Sequence, residues 1–243
     1  MAFYIKEQQN GIGEKFNDLS ANDKNLLNEY FKIEKFYRYA LKEMQAKIEN
    51  LDNYCETSFS HNPIHHIESR IKTPENIIEK IHRRGYPVTM NSIKEYLYDI
   101  AGMRVVCNYI NDIYQIIDLL SKHKDIQIRF IKDYIEKPKA SGYRSVHVIC
   151  DIDIYVVGDV RVVPIEIQFR TIAMDMWASL EHELRYKSKN VYTEEEKVNL
   201  KKYSDDLYNV DINMQKLFLK KTEGDIENDW LWFSGRKMDQ NGL

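Results

Sequence analysis

The sequence predicts an α/β (α+β) fold in three parts: a long helix, a mixed α/β centre and a second long helix. Three observations carry this expectation. Leu26, Tyr30, Ile33, Tyr37, Leu41, Met44, Ile48 and Leu51 recur at steps of three and four, the spacing of one helix face. The run PIEIQFR (164–170) alternates instead, so Ile165, Ile167 and Phe169 take one side of a strand while Glu166, Gln168 and Arg170 take the other. Leu200, Tyr203, Leu207, Val210, Met214 and Leu217 then restore a heptad-like helical stripe.

The elements follow in order. Ser20 and Asp23 resemble a capping box at the start of the first helix. Residues 55–69 read as irregular, ending in a short strand around 67–71. Thr73 caps a helix with Pro74 at its first position, and Gly85 closes it. A helix over 91–98 leads into the β-branched strand MRVVCNYI (103–110), and Asp112 to His123 has helical spacing. Strands dominate from Tyr143 to Thr171, with Gly158 and Asp159 marking a turn between VICDIDIYVV and VRVVPIEIQFRT. Thr193 and Glu196 form a second capping box, opening the last helix.

Composition excludes several classes. The 243 residues are 43% hydrophobic and 30% charged, enough to bury a full core. No apolar run approaches membrane-spanning length and no basic-then-apolar leader opens the chain, so a cytoplasmic protein without a membrane partner is expected. Cys55, Cys107 and Cys150 are odd in number and widely spaced, which suits reduced thiols rather than a disulfide framework. Cys55, His61, His65 and His66 match no closed tetrahedral zinc pattern. A net charge of −3 argues against coating DNA, yet cations cluster in RIK plus KIHRR (70–84) and in KPKASGYR (137–144), which suits a small polyanion. Binding of single-stranded RNA is not derivable from these residues.

A register argument gives the alternation its interest. With Gly158 and Asp159 central to a tight hairpin, Val157 faces Val160, Arg170 faces His147, Gln168 faces Ile149 and Glu166 faces Asp151. Tyr143, Ser145, His147, Glu166, Gln168 and Arg170 then share one sheet face, a polar surface richer than solubility requires.

The run GYRSVH (142–147) through EIQFRT (166–171), preceded by RIK (70–72) and DIAGMR (99–104), resembles the synthetase domain of the RelA/SpoT family, most of all the small alarmone synthetases of the RelQ and RelP kind. The resemblance implies a nucleotidyltransferase-like mixed sheet of about five strands flanked by helices. It also implies transfer of the β,γ-pyrophosphate of ATP to the 3′-hydroxyl of GTP or GDP. The corresponding division is a tail and helix over 1–54, a synthetase core over 55–190, and an oligomerisation helix and tail over 191–243, in one structural domain. With no His-Asp dipeptide and a short chain, synthesis without hydrolysis is expected.

On that resemblance Asp99 and Glu166 are the catalytic and Mg²⁺-holding carboxylates, Glu166 also being able to take the 3′-hydroxyl proton. Arg70, Lys72, Lys80 and Arg104 are expected to bind ATP. Tyr143 stacks on the guanine of GTP or GDP from a rigid strand, with Lys137, Lys139, His147, Gln168 and Arg170 completing the acceptor lining. Taken singly, each of these residues suits an ordinary surface or strand position; the clustering decides for chemistry. Two competing readings are a nucleotide- or RNA-binding regulator without catalysis and a nucleotidyltransferase moving AMP. The retained acids disfavour the first, because carboxylates hinder pure polyanion binding.

Two departures from the family pattern stand out. His66 and Glu68 replace a phenylalanine and a threonine of alarmone-responsive members, so weak effector activation is expected. Asp175 replaces an asparagine after the EIQxRT motif. The two helical stripes, with the family's tetrameric habit, predict a homotetramer.

Overall fold

The computed structural model describes residues 19–58, 61–187 and 192–222. Helix α1 (Ala21–Ser58) is followed by β1 (Ile64–Ile71), α2 (Pro74–Arg84), α3 (Met90–Tyr96), β2 (Ala101–Cys107), α4 (Ile110–Ser121), β3 (Ile126–Asp133), β4 (Val146–Val156), β5 (Asp159–Thr171), α5 (Ile172–Lys187) and α6 (Glu194–Thr222). The strands form one sheet in the order β1-β2-β5-β4-β3. Only β2 and β5 pair in parallel; the other neighbours are antiparallel. The expected mixed five-stranded sheet flanked by helices is therefore present.

The predicted caps form. Ser20 Oγ donates to Asp23 Oδ2 at 2.7 Å and accepts from the Asp23 N–H at 3.2 Å. Thr73 accepts from the Asn76 N–H, and Gly85 ends α2 in the left-handed region at φ 65°. The Thr193 N–H donates to Glu196 and the Glu196 N–H to Thr193, closing the box before α6.

One face of the sheet is dry. Ile165, Ile167 and Phe169 of β5 lie fully buried beside Val105 of β2 and Val148 and Cys150 of β4, in one core with Leu27, Tyr30, Met44 and Ile48 of α1. Each such side chain contributes roughly 1.5–3 kcal/mol by leaving water. The α1 stripe is consumed by its own sheet, so it offers little to a second subunit. On α6 the predicted stripe behaves differently: Tyr203, Val210, Met214 and Leu217 are each more than half exposed. All three cysteines are free and buried.

Several local expectations need correction. Residues 55–58 extend α1 and residues 64–66 already belong to β1, so little of the 55–69 stretch is irregular. Strand β3 was not expected; its alternation in IQIRFIKD is broken by a register shift between Ile128 and Phe130. The hairpin turns one residue earlier than the Gly-Asp pair implied. Val157 and Gly158 are its central residues, at φ 47° and 80°, and Val156 pairs with Asp159. Both positive φ values fit the type I′ twist that strands prefer, which here outweighs the cost of placing a valine there. The register moves by two, so His147 faces Gln168, Ile149 faces Glu166 and Asp151 faces Pro164. Because side chains alternate with period two, His147, Glu166, Gln168 and Arg170 keep their face.

Candidate active site

Glu166 occupies the middle of β5, between Gly102 of β2 and Ile149 of β4. A Cβ at position 102 would already touch the Arg70 stem, 3.9 Å from its Cγ. Asp99 stands just before β2, where the Lys72 N–H donates to Ile100 O at 2.8 Å and so brings the end of β1 alongside. Lys72 Nζ then lies 2.9 Å from Asp99 Oδ2, and Lys80 Nζ, projecting from α2, lies 2.8 Å from Oδ1.

Two clefts meet at these acids. The first is walled by Arg70, Arg104, Glu68 and Gln168; the second by Lys80, Arg84, Lys132 and the rings of Tyr86, Tyr96 and Phe130. Asp99 and Glu166 line both.

Glu166 and four other side chains close a ring of hydrogen bonds. Glu166 Oε1 lies 3.1 Å from His147 Nδ1, and His147 Nε2 lies 2.7 Å from the Tyr143 hydroxyl. Arg170 Nη2 donates to that hydroxyl and to Gln168 Oε1, both at 2.9 Å, and Gln168 Nε2 donates to Glu166 Oε2 at 2.9 Å. A guanidinium only donates, so the hydroxyl accepts from Arg170. With a hydrogen on Nδ1 the His147 ring donates to Glu166, as the Gln168 amide does.

A family model described as the region found in RelA/SpoT proteins matches residues 69–191. The chain belongs to the RelA/SpoT family. It is 43% identical over 154 residues to the GTP pyrophosphokinase YwaC of Bacillus subtilis, covering 63% of this chain and 73% of that protein. Among solved structures it is similar to small alarmone synthetase 2 of B. subtilis, with a TM-score of 0.72, 36% identity, and coverage of 79% and 99% of the two chains. It is also similar to small alarmone synthetase 1 of B. subtilis bound to its product pppGpp, with a TM-score of 0.70, 32% identity, and coverage of 79% and 95%.

The electrostatics of this RelA/SpoT-family site keep both acids charged. Burial pushes the Glu166 carboxyl up, but the hydrogen bond and charge of His147 and the Gln168 amide more than offset it, leaving the pKa below its ordinary value. Burial likewise acts on Asp99, where Lys72 and Lys80 together outweigh it and again leave the pKa lowered.

The sequence reading placed some residues differently. Tyr143 precedes β4 rather than riding on it, because Gly142 at φ 93° turns the chain and pairing begins only at Val146. Ser145 leaves the polar face altogether; it is buried, and its Oγ donates to Phe169 O. Asp151 does not join Glu166 but pairs with Arg129 at 2.7 Å, so the second acid is Asp99. Arg170 is buried, its guanidinium spent on Tyr143, Gln168 and Asp175. Lys139 lies 4.6 Å from the Tyr143 ring centroid and 4.5 Å from that of Tyr134, and burial lowers its pKa. Lys137 is exposed on the same loop, and Arg70 is exposed at the rim of the first cleft.

Three further features were missed. Arg84 and Lys132 line the second cleft; the KIHRR run signalled the first, while Lys132 sits on the unread β3. Asp175 bridges two cations, 2.9 Å from Arg170 and 3.2 Å from Arg104. Glu68 pairs with Arg104 at 3.0 Å, which turns it from a bystander into part of the cleft wall. Of the histidines weighed for zinc, His61 bonds Asp112 at 3.0 Å while His65 and His66 face each other at 2.8 Å.

Proposed function

We propose that the site described above carries out alarmone synthesis: this RelA/SpoT-family chain is an ATP:GTP 3′-pyrophosphotransferase, making pppGpp from GTP and ppGpp from GDP. The observation that carries this reading is the pair Asp99 and Glu166 standing as the common wall of two cation-lined clefts. A two-substrate displacement between polyphosphates needs that arrangement.

Arg70 and Arg104 bind ATP along the first cleft. Lys72 and Lys80 turn from Asp99 to the β- and γ-phosphates, with no covalent chemistry asked of them. The acceptor guanine stacks on Tyr143, which requires Lys139 to leave that ring and swing toward the acceptor's 5′-phosphates. His147 and Gln168 hold Glu166 against the ribose. Arg170 holds Tyr143 and Gln168 in turn.

The two ionised carboxylates Asp99 and Glu166 suit a hard divalent cation, and Mg²⁺ held by them would supply charge neutralisation of the phosphate chain. The 3′-oxygen attacks the β-phosphorus in line, the bond from that phosphorus to the α,β-bridging oxygen breaks, and AMP leaves with that oxygen. The hydroxyl proton passes to Glu166. Its lowered pKa makes Glu166 a modest base, which suffices because proton loss is late in a loose phosphoryl transfer.

Assembly into a homotetramer is proposed through α6, whose exposed Tyr203, Val210, Met214 and Leu217 need a cover. No helix among the described residues is long and apolar enough to cross a membrane, and a cytoplasmic location is proposed.

Incubation of the purified chain with ATP, Mg²⁺ and GTP or GDP, with products identified by mass, tests the reading. Pyrophosphorylated guanosine nucleotide and AMP are expected. Adenylylated product with released pyrophosphate would assign AMP transfer, and nucleotide binding without product would assign a regulator.

A further inference from the structure

Helix α6 packs Tyr208 and Ile212 against the core and buries two polar side chains with them. Ser204 and Asp211 are buried against the domain, while the apolar stripe of Tyr203, Val210 and Met214 faces out. Asp211 accepts from Thr171 of β5, whereas the contacts of Ser204 and its neighbour Asp205 reach the segment between β3 and β4. Ser204 Oγ donates to Gly142 O, and Asp205 Oδ1 accepts from Arg144 Nη2 at 2.8 Å. The same guanidinium donates to Ile135 O at 3.0 Å and lies 4.2 Å from the Tyr208 ring centroid. One cation therefore ties both ends of the segment to the helix.

The contact is close enough to transmit position. Gly142 has φ 93°, and a Cβ there would lie 2.9 Å from Ser204 Cβ and 3.1 Å from Lys201 Cα. The turn is also closed on itself, with the Gly142 N–H donating to Lys139 O at 2.8 Å and the Lys139 N–H to Tyr143 O at 3.2 Å. Where α6 holds Gly142, the Tyr143 ring and the Lys139 ammonium are thereby placed.

We propose that Ser204 and Asp205 are positioning residues of the acceptor side, acting through Gly142 and Arg144 to hold Tyr143 where the guanosine acceptor stacks. This rests on the reading of Tyr143 given above. Neither residue is required to touch substrate. Asp205 is about half exposed, and without it the more buried Arg144 keeps Ile135 O and the Tyr208 ring, so the role of Asp205 shows in acceptor use more than in fold stability. Small misplacement of a positioning group is costly to rate, and the donor cleft is walled mainly by β1 and β2, away from the segment that α6 holds.

Asp205→Ala and Ser204→Ala are compared with the wild-type chain by initial rates, with ATP and GDP each varied. Calorimetric titration with GDP and with a non-hydrolysable ATP analogue, and thermal melts, accompany them. The expected result is a rise of about tenfold in KM and Kd for GDP in each variant, ATP parameters within about twofold, an unchanged melt in Asp205→Ala beside a lowered one in Ser204→Ala, whose buried hydroxyl bonds Gly142 O, and recovery in Asp205→Glu. Equal losses for both nucleotides, a loss that follows the melting temperature, or wild-type GDP binding in both variants would overturn it. If the wild-type chain transfers no pyrophosphate, the functional reading fails by itself, and the GDP titration still decides the positioning role. Failure of the wild-type chain to bind GDP overturns both.

Discussion

His147 Nδ1 lies 3.1 Å from Glu166 Oε1, and the opposite nitrogen of the same ring lies 2.7 Å from the Tyr143 hydroxyl. One imidazole thus connects the proposed catalytic carboxylate to the proposed guanine platform. His147→Phe preserves the ring volume and removes both bonds, leaving the upward push of burial on Glu166 less opposed. The acidic limb of the kcat/KM profile should move to higher pH, and the rate should fall by about 10²-fold or more. A pH–rate profile with an unmoved acidic limb would contradict this.

Asp99 accepts from two lysines, and its pKa is lowered despite burial. A depressed carboxylate contributes stability above its unfolded pKa and loses it as pH falls through the folded value. Asp99→Asn should therefore lower stability at neutral pH, weaken the acid dependence of the melt below about pH 4, and abolish transfer. Lys72→Ala should chiefly raise KM for ATP. Melts across pH, with rates at varied ATP, test both.

Asp211 behaves in the opposite sense. Burial pushes its carboxyl up to about 6, against the lowering effect of the Thr171 hydroxyl bonded to it at 2.6 Å. The folded state then binds the extra proton between the unfolded value near 4 and about 6. Stability from this group falls as pH rises through that window. Asp211→Asn keeps an acceptor for Thr171 and removes the charge. It should be more stable than wild type at pH 7.5 by on the order of 2 kcal/mol and nearly equal to it at pH 4. Denaturant unfolding at the two pH values measures the difference.

Val157 holds φ 47° at the hairpin tip, where it is fully exposed. A left-handed conformation costs a residue with a Cβ roughly 1–2 kcal/mol, and most for a β-branched one. Val157→Asn creates the Asn-Gly pair that a type I′ turn favours and should raise the melting temperature by about 2–4 °C without changing turnover. A lowered melt would contradict the turn assignment.

On α6, Met214→Glu places a charge in the exposed stripe. If that stripe is the assembly surface, light scattering should report smaller species than the wild-type tetramer at micromolar concentration. A monomeric wild-type chain would remove the assembly proposal.

What the sequence disclosed depended on the range of the interaction. The face of Glu166, Gln168 and Arg170 was legible because alternation is local and survives a register shift of two. The caps at Ser20, Thr73 and Thr193 were legible for the same reason. The turn was misplaced because a valine at positive φ goes against local preference, and only the twist of the flanking strands selects it. Strand β3, with its register shift, carried too weak a period and hid Lys132. The roles of Asp175, Glu68 and Arg144 are set by partners 5, 36 and 61 positions away, and no spacing rule reaches them.

The most direct test of the central claim is turnover by Glu166→Gln. The amide keeps the shape and one acceptor of the carboxylate in the His147 and Gln168 cradle, and removes the charge. With ATP, Mg²⁺ and GDP, and products resolved by mass, the variant should form no detectable ppGpp and no AMP while melting within a few degrees of wild type. Wild-type rates of ppGpp formation by Glu166→Gln would contradict the account.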